Sequence, residues 1–287
     1  ASDDGRIPAR AARLVTGADA SRRAYRIAYD GTDYHGFQRQ PDVPTVSDAI
    51  LDALRALDVL EGDDVPPGYA AAGRTDAGVS AVAQTVAFDA PDWLSPAAFN
   101  AELPADVRAW AAADVPEDFH ATHDASAREY TYYRYSPEGD VAPAREALDR
   151  LAGRHDFHNL TPDETGTVRE LSGEVEREGA FLVVTVRAGG FPRQFVRRLV
   201  TVLDRYASGE AATDLVDRVL GEDSLEGPAG IPPAAPEPLV LTGVTYPGVT
   251  FAVDEAAAAT ARAHFRERHA ELASHARVSA RLRDDVG

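Results

Sequence analysis

Alternating apolar and polar residues in the first part of the chain predict short strands that are interrupted by two helices. A strand is predicted over residues 24–29, ending at the turn signal Asp30-Gly31. Apolar residues at helical spacing after Pro44 predict a helix that Ser47 helps to cap. The other elements predicted here are strands over residues 69–72, 84–88 and 107–113 and a short helix over residues 96–102.

The pattern in the second part of the chain repeats this order. It predicts strands over residues 129–135, 167–177, 181–187 and 239–246, and helices over residues 144–152 and 194–208. Each part therefore approximates strand–helix–strand–strand–helix–strand, which is typical of two α+β halves that share extended sheets. The predicted division is an N-terminal extension (1–22), a first α+β half (23–122), a second α+β half (123–253) and a charged helical tail (254–287).

The composition is that of a globular protein, with 44% hydrophobic and 26% charged residues. The longest apolar runs are far shorter than the roughly 20 residues that cross a membrane, so no membrane association is expected. Residues 1–23 contain no apolar signal core, and we therefore expect a cytoplasmic protein. The absence of cysteine excludes disulfides, thiolate metal sites and a cysteine nucleophile.

The charge balance is strongly acidic. Asp and Glu total 47 against 29 basic residues, a net charge of -18, and every basic residue is arginine because the chain contains no lysine. An acidic surface argues against nucleic-acid binding, since phosphate contacts supply most of that affinity. High net charge is also typical of halophilic proteins. The Debye length falls to about 3 Å at 1 M salt, so repulsion from RNA is then largely screened.

Several types of catalytic site are excluded by the residues that are missing. Without lysine there is no P-loop and no Schiff base, and without cysteine there is no zinc deaminase site. The pair His155 and His158, with Asp156 between them, has no further clustered ligand. We interpret this segment as a loop with capping polar groups, and we predict no metal site.

The loop over residues 73–80 is the strongest candidate for chemistry. Its two glycines allow tight turns and the close approach of a ligand, and Arg74 and Asp76 are positioned to pair or to face a ligand together. A loop carboxylate held beside an arginine is suited to act as a nucleophile or base. The alternative is a turn whose aspartate bonds its own backbone. Composition and spacing do not decide between the two.

A resemblance to a known family favours the functional interpretation. Residues 73–79 (GRTDAGV) resemble the signature of the TruA family of tRNA pseudouridine synthases, and residues 29–40 (YDGTDYHGFQRQ) resemble that family's opening motif. Further similar segments follow in the family's order, at residues 100–104, 128–132 (REYTY), 156–157, 195–197 and 239–241. The resemblance extends over residues 23–247, and several ordered motifs are far more specific than one.

The resemblance implies a pseudouridine synthase fold: two related α+β halves with antiparallel sheets flanked by helices and a central catalytic cleft. It implies an isomerase that needs no cofactor, forms a homodimer, comes from a halophilic archaeon and converts uridine to pseudouridine at positions 38, 39 and/or 40 of the tRNA anticodon arm. Asp76 matches the family's catalytic aspartate, Arg74 its loop arginine, Tyr130 its active-site tyrosine and Arg197 the arginine that pairs with the aspartate.

Other side chains are predicted to contact the RNA. The planar guanidinium group of arginine can donate two hydrogen bonds to one phosphate, and the opening motif also supplies amide side chains. These candidates are Arg74, Gln38, Arg39, Gln40, Arg193 and Arg198. Without the resemblance, Tyr130 is equally a core aromatic, and Arg197 is equally part of a solvated helix face.

Two departures from the family pattern and three mechanisms stay open at this point. Ser80 stands where family members often have histidine, and Pro238 where they usually have glycine. Asp76 could attack C1′ of the sugar, add to C6 of the base or remove a proton from C2′. The competing functions are an RNA-binding or chaperone module without catalysis and an unrelated hydrolase that uses Asp30 and Asp33.

Overall fold

The computed structural model describes residues 20–225 and 227–286. An N-terminal extension was predicted over residues 1–22. Residues 1–19 of it lie outside the described residues, and Ala20 is already the first residue of a strand. Residues 20–114 form β1 (Ala20–Tyr29), α1 (Val46–Ala56), β2 (Ala70–Ala71), β3 (Ser80–Pro91), α2 (Pro96–Phe99) and β4 (Val107–Asp114). We call these elements the first half.

The second half follows with more elements than the pattern predicts. It contains β5 (Ala127–Tyr135), α3 (Val141–Leu151), β6 (Gly153–Asp156), β7 (Val168–Glu178), β8 (Phe181–Ala188), α4 (Phe195–Ala207), α5 (Leu215–Val219) and β9 (Leu239–Thr245). Short 3₁₀ turns occur at His158–Leu160 and Gly227–Ala229. The strand β10 (Ala252–Val253) and the long helix α6 (Glu255–Asp285) complete the described chain.

The strands of both halves form one ten-stranded sheet. Its order is β10-β4-β1-β3-β9-β5-β8-β7-β6, and β2 pairs with β3 beside this path. All pairings are antiparallel except that of β3 with β9, where Ser80 pairs with Val240 and Ala81 with Leu241. The predicted α+β class with a mostly antiparallel sheet is confirmed, and within the described sheet the strands of the two halves are joined by this short parallel pairing.

Each half has its own apolar core between the sheet and its helices. In the first half Tyr25 stacks on Phe88 at 5.2 Å between ring centroids, and Phe99 meets both rings edge-on. In the second half Phe157 packs edge-on against Phe195 at 5.0 Å. The two cores are separate, and β9 contributes side chains to both: Leu241 belongs to the first core and Leu239 to the second.

Two local predictions are wrong. Thr45, not Ser47, caps α1, because its hydroxyl accepts the Asp48 N–H at 3.2 Å, whereas the Ser47 hydroxyl is hydrogen-bonded to Tyr69 at 2.9 Å. Residues 153–156 form β6 rather than a loop. That strand was missed because its sequence, GRHD, is polar and lacks alternation. The capping contact expected there does occur, since Asp156 accepts the His158 N–H at 3.1 Å.

The predicted helical tail is α6, a helix of 31 residues. It buries only the alanines near its start, Ala257, Ala258 and Ala261, and Arg268 donates to the Asp30 carboxylate at 3.1 Å. No helix within residues 20–225 and 227–286 is both long and apolar enough to cross a membrane.

Candidate active site

A cleft of about 1200 Å³ lies between the two halves. The first half lines it with the loop between β2 and β3 and with residues from 35–40. The second half contributes β5 and the segment that leads into α4, and residues 120–123, which connect the halves, line a further wall. Its volume exceeds the roughly 300–1,000 Å³ of small-molecule pockets, so it can accept part of a macromolecule.

The loop that carries Asp76 is held from below by buried polar groups. Gln84 donates to the Gly73 carbonyl at 2.9 Å, and the hydroxyls of Tyr29 and Thr75 are hydrogen-bonded at 2.8 Å. Burial raises the pKa of Tyr29 to about 12, so the phenol stays neutral. Because Tyr29 and Gln84 lie on adjacent strands of a rigid sheet, the loop's position is set by the sheet.

A second segment packs on the loop from the side. The Phe37 N–H donates to the Thr75 carbonyl at 3.1 Å. Gly36 has φ +93°, and a Cβ there would lie 2.8 Å from the same carbonyl oxygen. Glycine is therefore required at this close approach. The Val79 N–H then donates to the Asp76 carbonyl at 3.1 Å and turns the chain back into β3.

Asp76 and Arg197 meet across the cleft. Arg197 Nη1 lies 3.1 Å from Asp76 Oδ2, and Arg197 Nε donates to the Ala234 carbonyl at 2.7 Å. The Asp76 side chain is 30% exposed, and the Arg197 side chain is 14% exposed. Among the described residues Asp76 Oδ1 has no hydrogen-bond partner. The arginine therefore orients one carboxylate oxygen and leaves the other directed to a ligand.

Tyr130 lines the same cleft from β5. Its ring is partly buried and packs edge-to-face against Phe191, with 5.3 Å between centroids. Burial raises the pKa of the Tyr130 hydroxyl, and Tyr29 and the Asp76 charge raise it further. The phenol is therefore neutral at ordinary pH, and the ring offers an apolar face rather than a base.

Four of the predicted RNA-contacting residues line the cleft: Arg74, Gln38, Gln40 and Arg193. Arg74 is exposed. Gln40 is oriented by donating to the His35 carbonyl at 2.6 Å, and Arg193 Nε lies 3.4 Å from Asp163 Oδ1. The predicted RNA-contacting side chains in the lining therefore come from both halves.

The structure does not bring Arg39 and Arg198 to the cleft. Arg39 Nε donates to Asp48 on α1 at 2.9 Å, outside the lining. Arg198 bonds the Ile231 carbonyl and the Gln194 side chain, and burial, followed by the charges of Arg197 and Arg193, lowers its pKa. One step along a helix turns a side chain by about 100°, which separates Arg198 from Arg197.

Several lining residues were not singled out from the sequence. His35 lies inside the opening motif and Arg128 inside REYTY, so membership of those motifs could have indicated them. Other lining residues carry no such signal, and they include His120, Thr122, His123 and Phe191 in loops and Arg169 in β7.

The alternative carboxylate pair is not part of this cleft. Asp30 accepts hydrogen bonds from Thr32 and Arg268, and neither Asp30 nor Asp33 lines the cleft. Within the described ranges no group of three or more His, Cys, Asp or Glu side chains is placed to hold a metal ion. The carboxylates that line the cleft are therefore Asp76 and Asp163, beside Arg197 and Arg193 respectively.

Comparison with known proteins gives consistent matches. The family described as tRNA pseudouridine synthase matches residues 147–247. A protein of Haloarcula marismortui named tRNA pseudouridine synthase A is 58% identical over 274 residues, covering 92% of this chain and 100% of that protein. Proteins of the same name from Halobacterium salinarum and Natronomonas pharaonis are 57% and 58% identical, each covering 91% of this chain and 98% of their own length.

Proposed function

The chain belongs to the tRNA pseudouridine synthase A family, and from this membership we propose that it converts uridine to pseudouridine at positions 38, 39 and/or 40 of the tRNA anticodon arm, with Asp76 as the essential carboxylate. The observation that carries the proposal is the Asp76–Arg197 pair, which lies inside the cleft beside Tyr130. The RNA-binding module without catalysis is less well supported, because it has no need of an oriented carboxylate.

The charge of the cleft favours a polyanionic substrate. Its lining contains five arginines and two aspartates, although the chain as a whole carries -18. Because the exterior is acidic and the cleft is basic, the phosphates of RNA are attracted to the cleft and repelled by the rest of the surface. The halophilic archaea among the relatives support the interpretation of the exterior as an adaptation to salt.

The reaction breaks the C1′–N1 bond, rotates the uracil and joins C5 to C1′. C5 loses its proton and N1 gains one, so the product is an isomer. The uridine must first leave its stack, at a cost of a few kcal/mol. The face of Tyr130 offers a surface for the extruded base, worth about 1–3 kcal/mol.

Asp76 Oδ1 is the oxygen available to the substrate, because Arg197 occupies Oδ2. Attack at C1′, addition to C6 and proton removal from C2′ all use a carboxylate oxygen beside the sugar and the base. The neutral Tyr130 hydroxyl does not compete as a base. The homodimer and the cytoplasmic location implied by the resemblance stay predictions.

The test is tritium release from tRNA labelled at C5 of uridine, in high salt, using the native protein, Asp76→Asn and Asp163→Asn. Asp163 is a matched control, since it also lines the cleft but pairs with Arg193 rather than with Arg197. We expect release by the native protein and by Asp163→Asn, and none by Asp76→Asn. Transcripts with a single uridine at position 38, 39 or 40 identify the site.

Two results contradict the proposal. If the folded native protein releases no tritium from any tRNA across a range of salt concentrations, pseudouridylation is wrong. If Asp76→Asn releases tritium as fast as the native protein, the role of Asp76 is wrong.

A further inference from the structure

Arg128 makes an unusual set of contacts in the wall of the cleft. Its side chain is buried, and the guanidinium donates five hydrogen bonds to four backbone carbonyls. Nε and Nη2 both bond the Ala72 oxygen, at 3.1 and 2.7 Å, and Nη2 also bonds Thr122 at 2.6 Å. Nη1 bonds Ala125 at 3.3 Å and Gly189 at 2.5 Å. Five bonds equal the full donor capacity of arginine.

This charge is buried without an acidic partner. In the part of the chain that the structure describes, no carboxylate lies within ion-pair distance of Arg128. Burial lowers the pKa of its guanidinium. Burying a cation against neutral dipoles is costly, and an apolar side chain usually stabilises a core better. Stability alone is therefore a poor reason for an arginine here.

The four carbonyls belong to three segments that form the walls of the active site. Ala72 directly precedes the loop of Asp76, and Thr122 and Ala125 belong to the wall that contains His120 and His123. Gly189 begins the segment that continues through Phe191 into α4, where Arg197 lies. Carbonyl oxygens that converge in this way repel one another unless a donor lies between them.

We propose that Arg128 is a positioning residue that fixes the Asp76 loop relative to the α4 segment and the 120–125 wall, through the carbonyls of Ala72, Gly189, Thr122 and Ala125. This rests on the proposed function of the same cleft. Asp76 and Arg197 come from separate halves, so their 3.1 Å contact depends on how the walls are spaced. Arg128 lines the cleft, but all five of its N–H groups are bonded to these carbonyls, so it acts on that spacing rather than as a donor to the substrate.

Lysine is the informative replacement, because it keeps the charge but donates from one nitrogen and cannot span four carbonyls. Arg26 provides a matched control. It is also half-buried and donates to the backbone of both halves, at Ala83 and Val244, but it lies over the Phe251 ring and lines no part of the cleft.

We expect Arg128→Lys to lower kcat on the order of 10- to 100-fold, because misplacement by about 1 Å has effects of that size. KM should change little, since the residues that face the RNA are intact. Arg26→Lys should lower the unfolding temperature but leave kcat near native. A native kcat in Arg128→Lys, or an equal loss in Arg26→Lys, would overturn the proposal.

Chemical rescue separates positioning from general damage. Arg128→Ala should recover part of its kcat when guanidinium is added at millimolar concentrations, since that ion can bond the same carbonyls. Methylammonium should not restore it. Equal rescue by both ions, or by neither, would contradict a requirement for the planar guanidinium group of Arg128.

Hydrogen–deuterium exchange gives a measurement that does not depend on activity. Exchange over residues 73–79 and 189–197 should increase in Arg128→Lys and stay unchanged in Arg26→Lys. Unchanged exchange in Arg128→Lys would overturn the positioning role even if the protein proves inactive. Absence of tritium release from the native protein would instead count against the proposed function.

Discussion

Apart from β6 and α5, which only the second half contains, the two halves of the molecule follow the same order of strands and helices, but one connection differs. In the second half, β7 and β8 form a hairpin joined by only two residues, 179 and 180. In the first half, the corresponding strands β2 and β3 are joined by residues 72–79, and this longer loop carries Asp76. The shared pattern therefore builds the sheet, and the carboxylate that we propose to be essential lies where the pattern is interrupted.

The halves also differ in how they hold their functional groups. Asp76 is on a loop that depends on long-range contacts to Tyr29, Gln84 and Phe37. Tyr130 and Arg197 come from a regular strand and a regular helix. Neither half contains a complete site. The Asp76 carboxylate is therefore positioned by tertiary contacts, whereas Tyr130 and Arg197 are positioned by the strand and the helix to which they belong.

The largest expected effect comes from breaking the contact between the halves. Arg197→Met leaves Asp76 without its guanidinium partner, and kcat/KM should fall on the order of 10²-fold or more, because the carboxylate is no longer oriented. Arg198→Met is the control from the same helix, since Arg198 bonds Ile231 instead. Steady-state tritium release measures both. Equal losses in the two variants would mean that the contact with Asp76 is irrelevant.

The second effect tests the contribution of the strand. Tyr130→Ala should lower kcat/KM about 10- to 100-fold, corresponding to a stacking energy of about 1–3 kcal/mol. Tyr130→Phe keeps the ring and should stay close to native. The raised pKa of Tyr130 keeps its hydroxyl neutral below pH 10, so the Phe variant should show the same pH–rate profile as the native protein. A Phe variant as impaired as the Ala variant would assign the role to the hydroxyl.

The third effect concerns the buried tyrosine under the loop of the first half. The pKa of Tyr29 is about 12 in the folded protein and about 10 when unfolded, so its contribution to stability is complete below pH 10 and is lost as pH rises through 12. At pH 11 the native protein should have lost about 1 kcal/mol from this group. Urea unfolding at pH 9 and 11 measures the loss. Tyr29→Phe should show a smaller decrease, and an identical decrease would contradict the assignment.

The smallest effect distinguishes arginines inside and outside the cleft. Arg74→Ala should weaken binding of labelled tRNA several-fold and reduce the salt slope by about one, as expected for one lost phosphate contact. Arg39→Ala should leave binding unchanged, because Arg39 pairs with Asp48 on α1. Both are measured in the Asp76→Asn background so that no turnover occurs. Similar weakening in the two variants would place Arg39 at the RNA after all.

Local patterns were sufficient for most of the fold. The strands β1, β4, β5, β7 and β8 and the helix α4 were all predicted to within a few residues, because alternation and helical spacing depend only on neighbouring side chains. The strand β6 was missed because four polar residues carry no such signal. Thr45 was missed as the cap because Thr45 and Ser47 are both plausible from sequence, and the pairing of Ser47 with Tyr69 is a long-range contact.

The order of most elements and, through the motifs, the family and the aspartate loop follow from the sequence, because these signals lie in neighbouring residues. The tertiary structure alone decided which arginines face the cleft, because Arg197 and Arg198 are adjacent in the chain but point to different partners. It also decided that Arg128 joins carbonyls from residues 72 to 189. Such contacts depend on the distance between segments that are far apart in the chain, and that distance is set by sheet pairing and core packing.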